Sequence, residues 1–327
     1  MKADLHVHTY HSGYTSRLRF LRSRDSYSDP FDVYRVARAR GMDLVCITDH
    51  DSLGGCLEFL DRDPDAPDFI MGEEIECLFP LGRRAARGDG LKVHLGAIGI
   101  TERIHRDLQP LRDNVFEAID FLRGQGVFVV LNHLFLFFED QVPLADYVWP
   151  LLRRCDAAET RNGAMLEEHN GLIENLVLTN APLGLAQVGG SDAHTLTRIG
   201  RTYTEVEASS RDEFLAGLRR GQASVGGAHG STVTLAREIY EVILHYWVSL
   251  ARLRRDDLSR RRRLLGIATS LGLLPFQFVP GLLAVRGKQH ERSRVERYAR
   301  AFGARDRASS EAPALAFARH EREDRAP

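Results

Sequence analysis

Between residues 4 and 221, strand-like and helix-like segments alternate, and most strand-like segments carry a histidine, aspartate or glutamate at or near their ends. The strand-like stretches are 4–8, 43–48, 69–77, 91–100, 127–133, 155–160, 184–190 and 202–206. Helical spacing of apolar residues marks 29–41, with Asp29 as N-cap, Pro30 at the first helical position and Gly41 as the stop. The same spacing marks 113–126 and 211–221, and a further helical stretch separates 155–160 from 184–190. Such alternation predicts an α/β protein with a largely parallel sheet. About seven strand–helix units suit a barrel better than a two-layer wound sheet. No GxxxxGK phosphate loop and no internal repeat is present.

Chain length allows one large domain with an appendage, or two domains. A formal net charge of −1 hides an uneven distribution. Residues 1–230 hold 25 Lys and Arg against 34 Asp and Glu, a net of −9. Residues 231–303 hold 14 against 6, a net of +8. An acidic body rich in histidine suits cation binding, and a basic appendage suits an anionic surface. The acidic body also argues against a stable nucleic-acid partner there. Cys46, Cys56, Cys77 and Cys155 form no CxxC pair and read as reduced, mostly buried thiols. The N-terminus shows no basic segment followed by an apolar one, so a cytoplasmic location is expected.

Eight residues at strand ends are candidate metal ligands. His6 and His8 sit two apart on one strand and therefore share a face. His50 follows a strand in TDHD, Glu74 lies in GEE, His94 in KVHLG and His133 in LNH. Asp192 and His194 lie in GGSDAH. A single His94 or His133 would read as a satisfied core histidine, and Asp49 beside His50 as a helix cap. The conjunction is what carries weight: strand ends of a parallel α/β domain converge on one mouth. Eight such groups there are complementary to two or three divalent ions, and a glutamate can bridge two of them.

The order DLHVHT, TDHD, GEE, KVHLG, LNH, AETRNG, GGSDAH resembles the polymerase-and-histidinol-phosphatase (PHP) superfamily, over residue 3 to about 228. It is most similar to the stand-alone bacterial members. The resemblance implies a distorted seven-unit (β/α) barrel and metal-dependent phosphoester hydrolysis. It implies a first ion held by His6, His8, Glu74 and Asp192, and a second by Glu74, His94 and His133. His50 and His194 would contribute to a third. The ions would be Mn, Fe or Zn. Asp4 would orient a ligating imidazole, while Glu159 and Asn162 would support the site. Glu74, Asp192 and His194 would be central to catalysis. A water between the first two ions would become hydroxide and attack phosphorus. Arg161 and Arg201 either contact phosphate or are surface or ion-paired arginines. One departure stands out. Many relatives have an aspartate where this chain has Gly13, so the third ion is weak, absent or completed by His11. His11 otherwise reads as an exposed turn residue.

After Gly230 the pattern changes, and the domain division expected is 1–230, 231–303 and 304–327. Residues 234–255 form a long amphipathic helix candidate. Residues 264–285 carry no charge, but Pro275, Pro280 and three glycines interrupt them, so a straight membrane span is not expected. Two readings remain for 256–290. It is either an interfacial hairpin meeting anionic lipid, or a soluble hairpin packed on the barrel or on a second subunit in a homo-oligomer. The tail from 304 is expected to be disordered. The leading function is a metal-dependent phosphoesterase acting on a small phosphorylated molecule. The alternatives are hydrolysis of a C–N or ester bond, or exonuclease activity, on the same scaffold, and a non-catalytic regulatory or membrane-adaptor role.

Overall fold

The computed structural model describes residues 1–14, 23–80, 91–136, 144–179, 184–251 and 259–311, with side chains of 144–146 and 304–311 left out. Nine strands form one sheet: β1 (Lys2–Asp4), β2 (Leu44–Ile47), β3 (Phe69–Phe79), β4 (Leu91–Ile98), β5 (Phe128–Leu131), β6 (Ala157–Asn162), β7 (Ala186–Gly190), β8 (Thr202–Val206) and β9 (Ala223–Gly227). Their spatial order is β7-β6-β5-β4-β3-β2-β1-β8-β9. The two ends of that order meet, because β7 lies against β8 and β9. Thr204 Oγ1 both accepts from Gly189 N (2.8 Å) and donates to Gly189 O (2.9 Å) across the seam. The result is a nearly closed, barrel-like sheet.

The sheet is mixed rather than largely parallel. The pairs β1–β2, β2–β3, β5–β6 and β6–β7 are parallel. The pairs β3–β4, β4–β5, β1–β8 and β8–β9 are antiparallel. The cause is local. Strand β3 is long, and β4 runs back beside it in antiparallel register from Phe79 opposite Leu91 to Gly72 opposite Ile98.

The flanking helices are α1 (Pro30–Ala39), α2 (Gly54–Arg62), α3 (Glu102–Leu108), α4 (Val115–Gly124), α5 (Leu144–Leu152), α6 (Glu167–Thr179) and α7 (Arg211–Arg219). Asp29 caps α1 by accepting from Phe31 N (2.9 Å), with Pro30 at the first position. Asn114 and Ser210 cap α4 and α7 in the same way. Buried apolar residues line both faces of the sheet. Phe128 and Val130 pack on one side with Phe214 and Leu218 of α7. Ile119 and Leu122 of α4 pack on the other with Leu95 and Val129. Burying each large side chain is worth about 1.5–3 kcal/mol. All four cysteines are free and buried.

Three C-terminal helices follow: α8 (Thr232–Ala251), α9 (Arg260–Leu273) and α10 (Val279–Glu311). They are not a loose appendage. Helix α10 lies against α8, α6 and α5, and Tyr298 and Phe302 join the barrel's core. Glu291 accepts from Leu166 N (2.8 Å) and pairs with His169 Nδ1 (3.1 Å), while Lys288 donates to Ala164 O (2.5 Å). Helix α10 runs on to Glu311, and residues 312–327 of the expected tail lie outside the described residues, as do 256–258 of the expected hairpin.

Candidate metal centre

Past Asp4 the first strand continues as a thin extension. Val7 bridges Ala193 in parallel, and His8 N donates to Ala193 O (3.0 Å). On its other side Thr48 N donates to Val7 O (2.8 Å) and Val7 N to Thr48 Oγ1 (2.9 Å). Residues 6–8 are therefore laid between the exits of β2 and β7. Alternation then sends His6 and His8 to the same side, with ring centroids 5.0 Å apart.

Glu74 is the hub. One carboxylate oxygen, Oε1, lies 2.7 Å from His133 Nε2 and 3.1 Å from His94 Nδ1. The other, Oε2, lies 2.9 Å from His50 Nδ1, 3.2 Å from His6 Nε2 and 3.5 Å from His8 Nε2. Asp192 completes the far side. Its Oδ1 is 3.4 Å from His8 Nε2, 3.6 Å from His6 Nε2 and 3.7 Å from His194 Nδ1. His8 is stacked between His50 (4.4 Å) and His194 (4.3 Å). Asp192 (φ 50°) and His133 (φ 23°) both hold left-handed backbone. Such conformations cost on the order of 1–3 kcal/mol and persist where surroundings over-determine them.

The outer partners fix these rings. His6 Nδ1 pairs with Glu159 Oε1 (2.9 Å), and Asn162 Nδ2 donates to Glu159 Oε2 (2.9 Å) and Asp192 Oδ2 (3.2 Å). Three residues apart on a regular strand, Glu159 and Asn162 would face opposite ways. The register shift after Glu159 in β6 puts both on the site. His8 Nδ1 pairs with Ser12 Oγ (3.0 Å), which donates to Asp49 Oδ1 (2.7 Å). Asp49 also accepts from Thr9 N (2.6 Å), so it ties down the turn after His8 and caps no long helix. Glu238 of α8 accepts from His194 N (3.0 Å).

Four overlapping groups place ligand atoms within 4.8 Å of one another: His6–Glu74–His133, His6–His8–Asp192, His50–Glu74–His94 and His8–His50–His194. The metal-free electrostatics show what such a cluster demands. Burial alone would lower His6 and His50, yet the surrounding carboxylates raise both imidazoles well above the ordinary value. Burial opposes ionisation of Glu74 and Asp192 too, and the imidazoles hold both well below the usual carboxylate range. His8 has the opposite fate: burial, then the charges of His194 and His50, push it down to about 3. The fit to cations is also visible atom by atom. His6 Nε2, His8 Nε2 and Glu74 Oε2 are buried, converge, and make no hydrogen bond. Buried polar atoms are rarely left so.

All eight strand-end candidates therefore meet at one mouth. His94 arrives there differently from the others. It lies within the antiparallel β4, opposite Glu76, not at the end of a parallel strand. The remaining candidates fall elsewhere. His11 Nε2 pairs with Glu58 Oε2 of α2 (2.8 Å), away from the cluster, so it does not fill the place left by Gly13. Arg161 is half-buried near His229, and Arg201 is exposed beside Arg40. Asp4 orients no imidazole. Its carboxylate accepts from the backbone N–H groups of His6 (3.3 Å), Ser191 (2.8 Å) and Gly200 (2.7 Å), stapling β1 to the exit of β7. Burial raises its pKa to about 6 despite those bonds.

The residue that sequence reading missed is Asp25. Its Oδ2 lies 3.0 Å from His194 Nε2 and 3.4 Å from His50 Nε2. The chain departs at Gly13 and returns to it: Tyr14 bridges Arg24, and Asp25 N donates to Gly13 O (3.1 Å). Burial would raise the Asp25 carboxyl, but His194 and His50 hold it far below the usual range. Reciprocally, burial would lower His194, but Asp25 and Asp192 raise it to about 9.

Residues 181–223, which contain GGSDAH, match the family model described as PHP-associated. An uncharacterised protein of Methanocaldococcus jannaschii is 36% identical over 76 residues, 23% of this chain and 44% of that protein. The matched stretch thus spans less than half the length of that relative. Among solved structures, PsfC from Pseudomonas syringae overlays with a TM-score of 0.48 at 18% identity, covering 76% of this chain and 98% of that one. A protein described as a candidate metal-dependent phosphoesterase from Bifidobacterium adolescentis gives 0.44 at 17%, covering 67% and 96%. An amidohydrolase from Chromobacterium violaceum with bound sulfate and no metal gives 0.47 at 14%, covering 66% and 96%. The PHP-associated match covers residues 181–223, and the ligand motifs that the nearly closed sheet gathers stand in the order of the PHP resemblance.

Proposed function

We propose that this protein is a metal-dependent phosphoesterase acting on a small phosphorylated molecule. The observation that carries the reading is Glu74: a fully buried carboxylate with imidazoles facing both of its oxygens. That is the arrangement a bridging ligand between two cations needs. His6, His8 and Asp192 would hold one ion with Glu74, and His94 and His133 a second with Glu74. His50, His194 and Asp25 would hold a third. When bound, such ions supply Lewis acidity, making nearby water more acidic and phosphoryl oxygens more polarised. The chain's own residues do the rest. Glu159 and Ser12 hold the rings of His6 and His8 in orientation, Asp192 O and Asp25 hold the ring of His194, and Glu238 ties down the His194 backbone N–H. A phosphoester is favoured over an amide because three adjoining cation sites match an anionic group with several charged oxygens.

Purified protein should carry two or more Mn, Fe or Zn ions per chain by elemental analysis. Against a panel of phosphomonoesters, cyclic phosphates and amides, turnover should fall among the phosphoesters. His8→Ala and Asp192→Ala should each cut both metal content and turnover, by more than the ~10–100-fold typical of losing an outer partner. Full activity in those folded variants would overturn the reading, and turnover confined to amides would move the protein to the alternative C–N hydrolase.

A further inference from the structure

Helix α9, the turn after it and the first turns of α10 form a hairpin bent by 73°. No single described helix is long and apolar enough to cross a membrane. Yet the hairpin exposes an unusual run of large apolar side chains. Leu271 (60%), Phe276 (53%), Phe278 (60%) and Leu282 (59%) are all more than half exposed, as are Leu265 and Leu283. Contiguous apolar surface of this kind marks an interaction site.

The exposure is built in rather than incidental. Gly266 is the buried residue of α9, and a Cβ there would lie 2.6 Å from Tyr246 Oη, so α9 is pressed closely onto α8. At the tip, Tyr240 Oη donates to Gln277 O (2.6 Å). The hairpin is thereby held with its leucines and phenylalanines turned away from the protein. Exposed arginines border it at both ends: Arg260, Arg261 and Arg262 before the uncharged stretch 264–285, and Arg286 after it.

We propose that this hairpin docks the protein onto an anionic lipid surface. The tip residues Leu274, Phe276 and Phe278 would enter the acyl–headgroup boundary, and the arginines would meet lipid phosphates and carboxylates. The charge pattern selects this occupant. Residues 231–303 carry a net +8 against −9 for the body, so an anionic bilayer complements the hairpin and is repelled by the body. A second copy docked symmetrically through the same face would set two basic segments against each other. The uncharged stretch is broken by the bend between α9 and α10, which suits lying in the interface and not crossing it.

The test is co-sedimentation of the full-length protein with extruded vesicles. One set is phosphatidylcholine alone, and the other contains a third phosphatidylserine. Binding to the anionic set, weakened by high salt and absent from the neutral set, is the expected result. The double variant Phe276→Glu/Phe278→Glu should lower partitioning by roughly tenfold or more, and Arg261→Ser/Arg262→Ser should lower it several-fold. Both variants should keep the wild-type melting temperature and metal content, since none of these side chains is buried. Two outcomes overturn the proposal. One is wild-type protein that stays in solution with both vesicle sets. The other is a wild-type dimer, silent toward vesicles, that Phe276→Glu/Phe278→Glu converts to monomer.

Discussion

Asp25 and Gly13 show how a single side chain can be supplied from a different place in the chain. Gly13 has no side chain to offer the third cluster, and the nearby His11 is engaged with Glu58. The carboxylate instead arrives with Asp25, whose N–H is tied to Gly13 O. If Asp25 serves the third ion, Asp25→Asn should lower ion stoichiometry from three toward two per chain, read by elemental analysis and by calorimetric titration of metal-free protein. The same substitution should spare the fold by circular dichroism. An unchanged third binding event would remove Asp25 from the ligand set. Nothing in local spacing marks this residue, because the match depends on the chain leaving and returning. By contrast, His6 and His8 are legible from spacing alone, since i and i+2 on a strand must share a face.

The elements differ in how openly the sequence declares them. Helices α1, α4 and α7 carry a capping side chain at one end and a glycine with positive φ just beyond the other, at Gly41, Gly126 and Gly221. Their sequence pattern and structure agree. Helix α2 escapes a propensity reading because it opens on Gly54–Gly55. Those glycines serve packing: a Cβ on Gly55 would lie 2.7 Å from Thr9 Oγ1, so α2 can press against the turn that carries His8. Strand β9, Ala-Ser-Val-Gly-Gly, lacks alternation and is a strand only because β8 pairs with it. Helix α10 is readable as a helix, but its buried Glu291 is not readable as a linchpin. Burial opposes its charge, yet His169, Lys288 and Leu166 N–H hold its pKa down to about 2. A carboxyl lowered on folding stabilises fully above its unfolded value of about 4.5, and that stabilisation is lost as pH falls toward 2. Glu291→Ala at neutral pH should therefore cost about 3 kcal/mol or more, because it strands a buried ammonium as well. Urea unfolding measures this, and a cost under 1 kcal/mol would refute the assignment.

At the scale of the molecule, the barrel and its C-terminal helices share one core beside a highly charged centre. Glu238 on α8 braces His194, while α10 fills the core through Tyr298 and Phe302. Ions that bind only the folded cluster stabilise it by mass action, by about 2.7 kcal/mol at a hundredfold excess over the dissociation constant. Chelation should thus lower the melting temperature by several degrees, and restoring Mn, Fe or Zn should recover it. A melting temperature indifferent to chelator, in protein shown to have lost its ions, would mean the cluster is not coupled to folding.

By itself, the sequence determined the alternation that makes an α/β sheet, the helix ends, the shared face of His6 and His8, and the identity of eight ligand-type residues. These are local properties, fixed by periodicity, caps and side-chain chemistry within a few residues. The tertiary structure decided the rest. It set the reversal of β4 that carries His94 to the mouth, the shift in β6 that aligns Glu159 with Asn162, the return of Asp25 to Gly13, and the outward face of the hairpin. Each of these depends on which distant segment lies alongside, and pairing across the sheet is a property of the closed molecule that no single stretch of chain encodes.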